Sequence, residues 1–163
     1  MKEIKDAFEL WRKAKKAAQK ECEAAGELAL ARKFRACRMF SGDEDIEKLT
    51  DKMFTPQGIE FLTKRHFPDL ETFRWFLPYE PERYGFYIDR GEVEIKDAEN
   101  VFLVGNTTAH LSYSFDKPHS CKLVMMHGAK AVADVKGWTL LSVYGDGTCD
   151  IQIHKSENSI VLR

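Results

Sequence analysis

The chain of 163 residues lacks any apolar run near the roughly 20 residues that span a bilayer, so the sequence predicts no transmembrane helix. Its first residues, MKEIKDAFELW, carry acids and no long apolar stretch, which excludes a secretory signal and predicts a cytoplasmic protein. Only four cysteines are present, and no two lie close together in the sequence. We therefore expect reduced thiols rather than a disulfide framework.

The chain also lacks an excess of charge of either sign. The net charge is −1, so the whole molecule has no strong electrostatic attraction to nucleic acid or to an anionic membrane. The motifs G-x-S-x-G, G-x-G-x-x-G, H-E-x-x-H and the Walker loop are all absent. The sequence therefore predicts no cofactor, and it favours a protein that is not an enzyme.

What the second half of the chain does contain is a recurring strand–glycine–strand unit. It reads FYIDRGEVEI, VFLVGNTTAHLSY, LVMMHGAKAVADV and LLSVYGDGTCDIQI, with a last half-unit SIVLR. Apolar residues alternate before the last three of the four turn glycines and after all four, which is the pattern of a strand with one buried face. The units begin about 15–23 residues apart, as in stacked β-coils.

This repeat predicts a short C-terminal β-solenoid. Glycine turns between alternating strands are also typical of hairpins, so an antiparallel β-meander or roll is the alternative fold. When each unit is aligned on its glycine, the interior positions are predicted to be Val101, Leu103, Val124, Met126, Leu141, Val143, Ile151 and Ile153. The residues one step out of phase, Phe102, Met125 and Ser142, are predicted to face the other way.

The first half of the chain has helical periodicity instead. Apolar residues at three- and four-residue steps predict helices over about 3–24 and 27–39. Capping signals predict further helices over 44–53 and 57–65, and a final turn or two from Pro68 to Phe76. The predicted fold is thus α+β, with a helical region over 1–78 packed on a β-repeat region over 79–163.

One group of residues suggests a metal or catalytic site. His119 and Cys121 are two positions apart, and His127 is near them in sequence, so the three are candidate zinc ligands. Cys121 or Cys149, meeting a histidine from an adjacent coil, would be the nucleophile of a cysteine hydrolase. A metal-dependent or cysteine hydrolase is therefore one alternative function. The alternative is that the histidines are polar residues on the outside of the strands and the cysteines are buried thiols, with no metal-binding or catalytic role.

The N-terminal helices carry most of the excess positive charge. Residues 1–38 hold eleven Lys or Arg against six Asp or Glu, and Lys13, Lys16 and Lys20 share one helical stripe. With Arg32 and Arg35 on the second helix, they are candidates for contacts with nucleic-acid phosphates. A nucleic-acid-binding protein that uses the basic helices over 12–38 is thus a second alternative. The solvated face of an amphipathic helix has the same composition.

Two segments also carry a resemblance, FxTPQGIEFLTKRHFPDLETFRWF followed by GFYIDRGEVEIKDAENVFLVGNTTAHLSY. Over roughly residues 55–163 the chain resembles uncharacterised proteins of gut-bacterial prophage-like elements, which have a small helical head and a β-repeat tail. The resemblance rests on turns and core positions and brings no catalytic residue. It implies a phage or mobile-element role.

The leading hypothesis from the sequence is a non-enzymatic protein-interaction or assembly protein. The last strand of a solenoid exposes unpaired backbone groups and an apolar cross-section. Ile160, Val161 and Leu162 form the last predicted strand, and we expect them to pair with another protein chain, first of all a second copy of this one. A homodimer is the predicted state and a trimer the next. If the helical region instead folds back over this edge, we expect a monomer.

Overall fold

The structure is a computed structural model that describes residues 3–163, and it contains two compact units. A helical unit ends at Phe76, and a β unit runs from Leu77 to Arg163. The α+β class, with helices first and a β-solenoid second, is confirmed. No helix among the described residues is long and apolar enough to cross a membrane.

The helices of the first unit begin and end close to the predicted positions. They are α1 (Ile4–Ala24), α2 (Leu28–Ala36), α3 (Ile46–Met53), α4 (Pro56–Arg65) and α5 (Leu70–Arg74). The predicted cap of α4 is confirmed, because the Thr55 hydroxyl accepts a hydrogen bond from the Gly58 N–H and Pro56 occupies the first turn. Helix α3 begins two residues later than predicted, because the Asp45 carboxylate caps it.

The core of the helical unit forms around one side of α1. Trp11, Ala18 and Cys22 lie on that side and are almost fully buried. The Trp11 ring meets Phe40 edge to face, with 5.3 Å between ring centroids. Helix α2 departs from the prediction, because Ala31 is its buried residue while the expected apolar stripe of Leu30, Phe34 and Cys37 is only partly covered.

The β unit opens with two short 3-10 helices, Leu77–Tyr79 and Pro81–Tyr84. Its strands are β1 (Phe86–Ile88), β2 (Gly91–Lys96), β3 (Asn100–Val104), β4 (Thr107–Met126), β5 (Lys130–Gly145), β6 (Asp150–Lys155) and β7 (Ile160–Leu162). Every strand pairing is parallel, which is the hydrogen-bonding pattern of a solenoid. The alternative of an antiparallel meander is therefore wrong.

The strands line two faces of the solenoid. The front face consists of β1, β3, residues 119–126 of β4, residues 139–145 of β5, and β7. The back face consists of β2, residues 107–115 of β4, residues 130–137 of β5, and β6. The long strands β4 and β5 contribute to both faces, and their pairing shifts register between Phe115 and His119.

The front-face register gives the length of each coil. Phe86 pairs with Phe102, Phe102 with Val124, and Val124 with Tyr144, so successive coils advance by 16, 22 and 20 residues. Between these faces lies an apolar interior that includes Val101, Leu103, Leu111, Leu123, Met125, Val135 and Leu141. Val143, Ile151 and Ile153 pack against it from partly buried positions, as predicted.

One prediction about this interior is wrong. Met125, not Val124 or Met126, faces the solenoid core, because Leu103 pairs with Met125. Since side chains alternate along a strand, the error of one residue exchanges the two faces of the segment. Val124 and Met126 are nevertheless fully buried, as is the outward Phe102.

The error comes from the turn at the end of each front-face strand. The residue that follows the paired positions Ile88, Val104 and Met126 is in each case left-handed: Asp89 (φ 50°), Gly105 (φ 66°) and His127 (φ 57°). His127 therefore occupies the position of Gly105, and Gly128 lies one residue later. Alignment on glycines shifts this coil by one residue, because here a histidine has the conformation that glycine usually adopts.

Candidate functional site

One outward row of the front face carries a large apolar or aromatic side chain in each of four successive coils. Phe86, Phe102 and Val124 form one outward row across paired strands, and each is fully buried. The rings of Phe86 and Phe102 stack with 4.4 Å between their centroids. The same row continues to Tyr144 on β5, where the side chain is exposed. Burial of the outward row thus stops at the third coil.

Beyond that coil, apolar side chains face solvent. We call this surface the front patch; it consists of Trp138, Leu140, Tyr144, Ile160 and Leu162. Trp138 is 52%, Ile160 57% and Leu162 53% exposed, whereas Leu140 is partly buried. Leu140 pairs with Ile160, and Ser142 pairs with Leu162, so the patch extends over two adjacent strands. Large side chains grouped in this way typically mark an interaction surface.

The front patch includes two of the three residues predicted for an oligomer contact. Ile160 and Leu162 lie in it, whereas Val161 between them packs against the solenoid interior. The sequence-based reasoning missed Trp138, Leu140 and Tyr144. The segment WTLLSVYG contained a signal for them, because three of its four even-numbered residues, Trp138, Leu140 and Tyr144, are large and apolar, and only Ser142 interrupts the pattern.

The back face differs in chemistry. Its outward positions on β2 are Glu92, Glu94 and Lys96, which pair with the outward Thr108, His110 and Ser112 of β4. Such alternation of inward apolar and outward polar residues is what a solvated sheet surface requires. The contrast between the two faces makes the apolar front patch a specific feature rather than a general property of this solenoid.

A shallow concavity of about 280 Å³ lies at one margin of the front patch. Trp138, Leu140 and Ile160 line it together with the more polar Ser120 and Asn158. His119 also borders it and stacks flat on Phe115, with 4.0 Å between the ring centroids. Its Nε2 lies 3.1 Å from a Glu99 carboxylate oxygen, which orients the ring.

The three candidate zinc ligands are not brought together. His119 lies at the start of the front-face segment of β4, and His127 directly follows the last residue of that segment, Met126. The two histidines are eight residues apart along an extended chain, which corresponds to roughly 26 Å. Cys121 points into the solenoid interior and is fully buried. Among residues 3–163, no three His, Cys, Asp or Glu side chains are grouped as metal ligands.

The environment of the thiols in the β unit does not activate them as nucleophiles. Burial, with a further contribution from the negative charges of Glu99 and Asp97, raises the pKa of Cys121 to about 11. Burial likewise raises the pKa of Cys149 above its ordinary value. A nucleophilic cysteine instead needs a lowered pKa and an accessible sulfur.

The predicted nucleic-acid residues are exposed. Lys13, Lys16 and Lys20, which we call the lysine stripe, lie on the side of α1 opposite the buried Trp11 and Ala18. No carboxylate among the described residues lies within 4.0 Å of any of the three. Arg32 is exposed on α2, whereas Arg35 forms an ion pair with Glu23 at 3.2 Å. The stripe is available for phosphates, although it is also the side on which a soluble helix ordinarily carries charge.

Comparisons of the chain with protein-family models, with characterised proteins and with solved structures found no match. The resemblance to prophage-like proteins therefore stays a prediction. The geometry of the chain itself is the evidence on function.

Proposed function

We propose that the chain is a non-enzymatic protein-interaction module that forms a homodimer through the front patch of its solenoid. The observation that carries this proposal is the exposure of Trp138, Ile160 and Leu162 on the last two strands of a face whose earlier outward row is buried. Transfer of such side chains out of water is the main driving force of protein association.

The strands beside the patch add a second contribution. Within residues 3–163, β7 and β6 each pair with β5 and with no other strand. Their other edges carry backbone N–H and C=O groups able to pair with a strand of another chain. A symmetric contact that joins two front patches would cover the same residues on both copies, as a twofold interface requires.

The raised pKa values of Cys121 and Cys149 argue against a hydrolase that would use either thiol as its nucleophile. Both thiols are protonated at neutral pH, and their surroundings are those of structural cysteines. The front patch, in contrast, offers large side chains and few charges, which is the composition of the central part of a protein interface.

The test is the molar mass in solution, measured by light scattering during gel filtration at ~100 μM, a concentration at which a micromolar dimer is nearly complete. We expect a dimer of the 18.8 kDa chain. Ile160→Lys should give a monomer, because it places a charge in the centre of the contact. Gln152→Lys adds the same charge on the exposed back face of β6, and it should leave the dimer intact.

A monomeric wild-type protein at ~100 μM would overturn the proposal. So would a dimer that Ile160→Lys and Gln152→Lys affect equally, because the contact would then lie elsewhere. Deletion of residues 158–163 provides a further check: the dimer should dissociate while the remaining β-structure persists.

A further inference from the structure

A second surface lies on the helical unit, where α2 and α4 face each other across an open groove. Its volume is about 440 Å³. The groove is lined by Leu30, Lys33, Phe34 and Cys37 from α2 and its C-terminal cap, and by Gln57, Glu60, Phe61, Lys64 and Arg65 from α4. On both helices the lining residues recur at three- and four-residue steps, so each helix turns one continuous side toward the space.

The floor of this groove is apolar and incompletely covered. The rings of Phe34 and Phe61 meet edge to face, with 6.2 Å between their centroids. Beside them, Leu30 is 40% exposed, although it belongs to the apolar stripe that the sequence assigns to α2. A pair of packed helices normally fills such a space with side chains. Here, aromatic and aliphatic surface is left accessible to a ligand.

The rim of the groove carries three cationic side chains, and two of them are paired with carboxylates. Lys64 is neutralised by Glu60 at 2.6 Å, and Arg65 is held by Glu21 at 2.5 Å while its guanidinium lies over the Phe34 ring. Lys33 differs from both, because no carboxylate among the described residues lies within 4.0 Å of its ammonium group. The groove therefore offers one uncompensated cation directly beside an apolar floor.

We propose that this groove binds a small amphiphilic carboxylate, a compound with one anionic group and one short alkyl chain or single ring. The apolar part lies on Leu30, Phe34 and Phe61, and the carboxylate pairs with Lys33. Ligand pockets typically enclose roughly 300–1,000 Å³, with mostly apolar walls and few polar groups. The groove is at the lower end of that range, which suits a small molecule.

Cys37 gives the groove a local reporter. Its partly buried thiol lines the groove, where the Gln57 side-chain amide donates a hydrogen bond to Sγ at 3.1 Å. Cys149 in the β unit is also partly buried and lies outside the groove, while Cys22 and Cys121 are buried. A ligand in the groove should slow modification of Cys37 and leave the rate at Cys149 unchanged.

The experiment measures alkylation of each cysteine by N-ethylmaleimide in the full-length chain, by peptide mass mapping. The probes are sodium octanoate, 1-octanol, which lacks the charge, and acetate, which lacks the chain. We expect octanoate to protect Cys37 with half-maximal effect on the order of 1 mM, a strength normal for so few atoms. Octanol should protect less well and acetate not at all.

Two matched pairs of variants test the assignment. Lys33→Glu should weaken protection by octanoate about three- to tenfold, whereas Arg32→Glu, the same change on the neighbouring residue outside the groove, should not. Leu30→Asp should weaken it at least about tenfold, because it removes floor area and repels the carboxylate. Leu28→Asp is its control, since Leu28 is 55% exposed and outside the lining.

Three results would overturn the proposal. One is equal alkylation of Cys37 with and without octanoate at about 10 mM. Another is equal protection of Cys37 and Cys149, which would indicate a general effect on the protein. The third is protection of Cys37 by a single-stranded oligonucleotide and not by octanoate, which would assign the basic helices to nucleic acid. If Leu30→Asp fails to fold, Lys33→Glu and Arg32→Glu decide the question by themselves.

Discussion

The corner between the back and front faces gives the sharpest prediction about stability. Gly137 lies where β5 passes from one face to the other, and it has a φ of 67°. A Cβ atom at this position would lie 2.2 Å from the carbonyl oxygen of Phe115, its partner on β4. Gly147, with a φ of 86°, has nothing within 4 Å of the same added atom. A comparison of alanine substitutions at the two glycines therefore separates the cost of the left-handed backbone conformation from the cost of the steric contact with Phe115.

The expected cost of each alanine substitution follows from this difference. A left-handed conformation costs an alanine about 1–2 kcal/mol, and a more rigid unfolded chain returns about 0.4–1 kcal/mol. Gly147→Ala should thus destabilise the protein by about 1 kcal/mol. Gly137→Ala adds overpacking against backbone, about 1–3 kcal/mol, together with disturbed β4–β5 pairing. Its total should reach about 3–5 kcal/mol.

Thermal unfolding followed by circular dichroism compares the two variants. A chain of this size loses about 2–4 °C in Tm per kcal/mol, so Gly147→Ala should melt about 2–4 °C below wild type and Gly137→Ala at least about 6 °C below it. Hydrogen exchange of β4 and β5 amides then assigns the loss to the solenoid. If both variants melt within about 2 °C of each other, the close approach of the two strands at Phe115 is wrong.

Further predictions concern packing, pH, thiol reactivity and charge. Leu103→Ala removes a fully buried side chain and should cost about 2–4 kcal/mol in urea unfolding; near-wild-type stability would show that the interior register is wrong. Burial tends to raise the pKa of Glu44, but hydrogen bonds from Lys52 and from the Ser41 and Gly42 backbone outweigh it and lower that pKa to about 2. Because the folded pKa lies below the unfolded value of 4.5, Glu44 stabilises the protein above about pH 4.5, and this contribution disappears as the pH falls toward 2. Glu44→Gln should therefore flatten the stability profile over that window, and an unchanged profile would contradict the assignment. Cys121, with its pKa of about 11, should resist maleimide at pH 7.5 in the folded protein, so rapid alkylation there would reopen a nucleophilic role. Changing the lysine stripe to glutamate should alter little, because we expect the wild type to bind nucleic acid only weakly at physiological salt; a submicromolar complex would favour the nucleic-acid alternative.

Much of the architecture could be read from the sequence because it depends on local chemistry. Helix α4 is an example: Thr55 and Pro56 specify its start through a side-chain cap and a preset φ, and both act within one turn. The solenoid was predictable for a similar reason. The repeat units begin about 15–23 residues apart, and apolar residues alternate along each strand. Few parallel arrangements of such units bury one side of every strand.

Which residues of the third coil face the core could not be predicted from the sequence in the same way. His127 adopts the left-handed turn that Gly105 adopts one coil earlier, and nothing in its identity distinguishes it from a histidine in a strand. Only the pairing of Leu103 with Met125 shows which residues face the core. A glycine marks a left-handed residue well, but other residues occupy such positions when neighbouring strands hold them there.

The candidate surfaces depended still more on tertiary structure. The sequence by itself determined the helical first half, the β-repeat and the apolar character of Ile160 and Leu162, because periodicity and turn chemistry are local properties. It left the antiparallel meander open, and only the strand pairings showed that the repeat is parallel. It did not determine that a front-face segment of β4 separates His119 from His127 in the turn after it, or that Trp138 lies beside Ile160. Nor did it show that the apolar stripe of α2 lines an open groove, with Lys33 beside it. These relations depend on how the coils and helices pack, and only packing decides which apolar side chains are buried and which remain available to a partner.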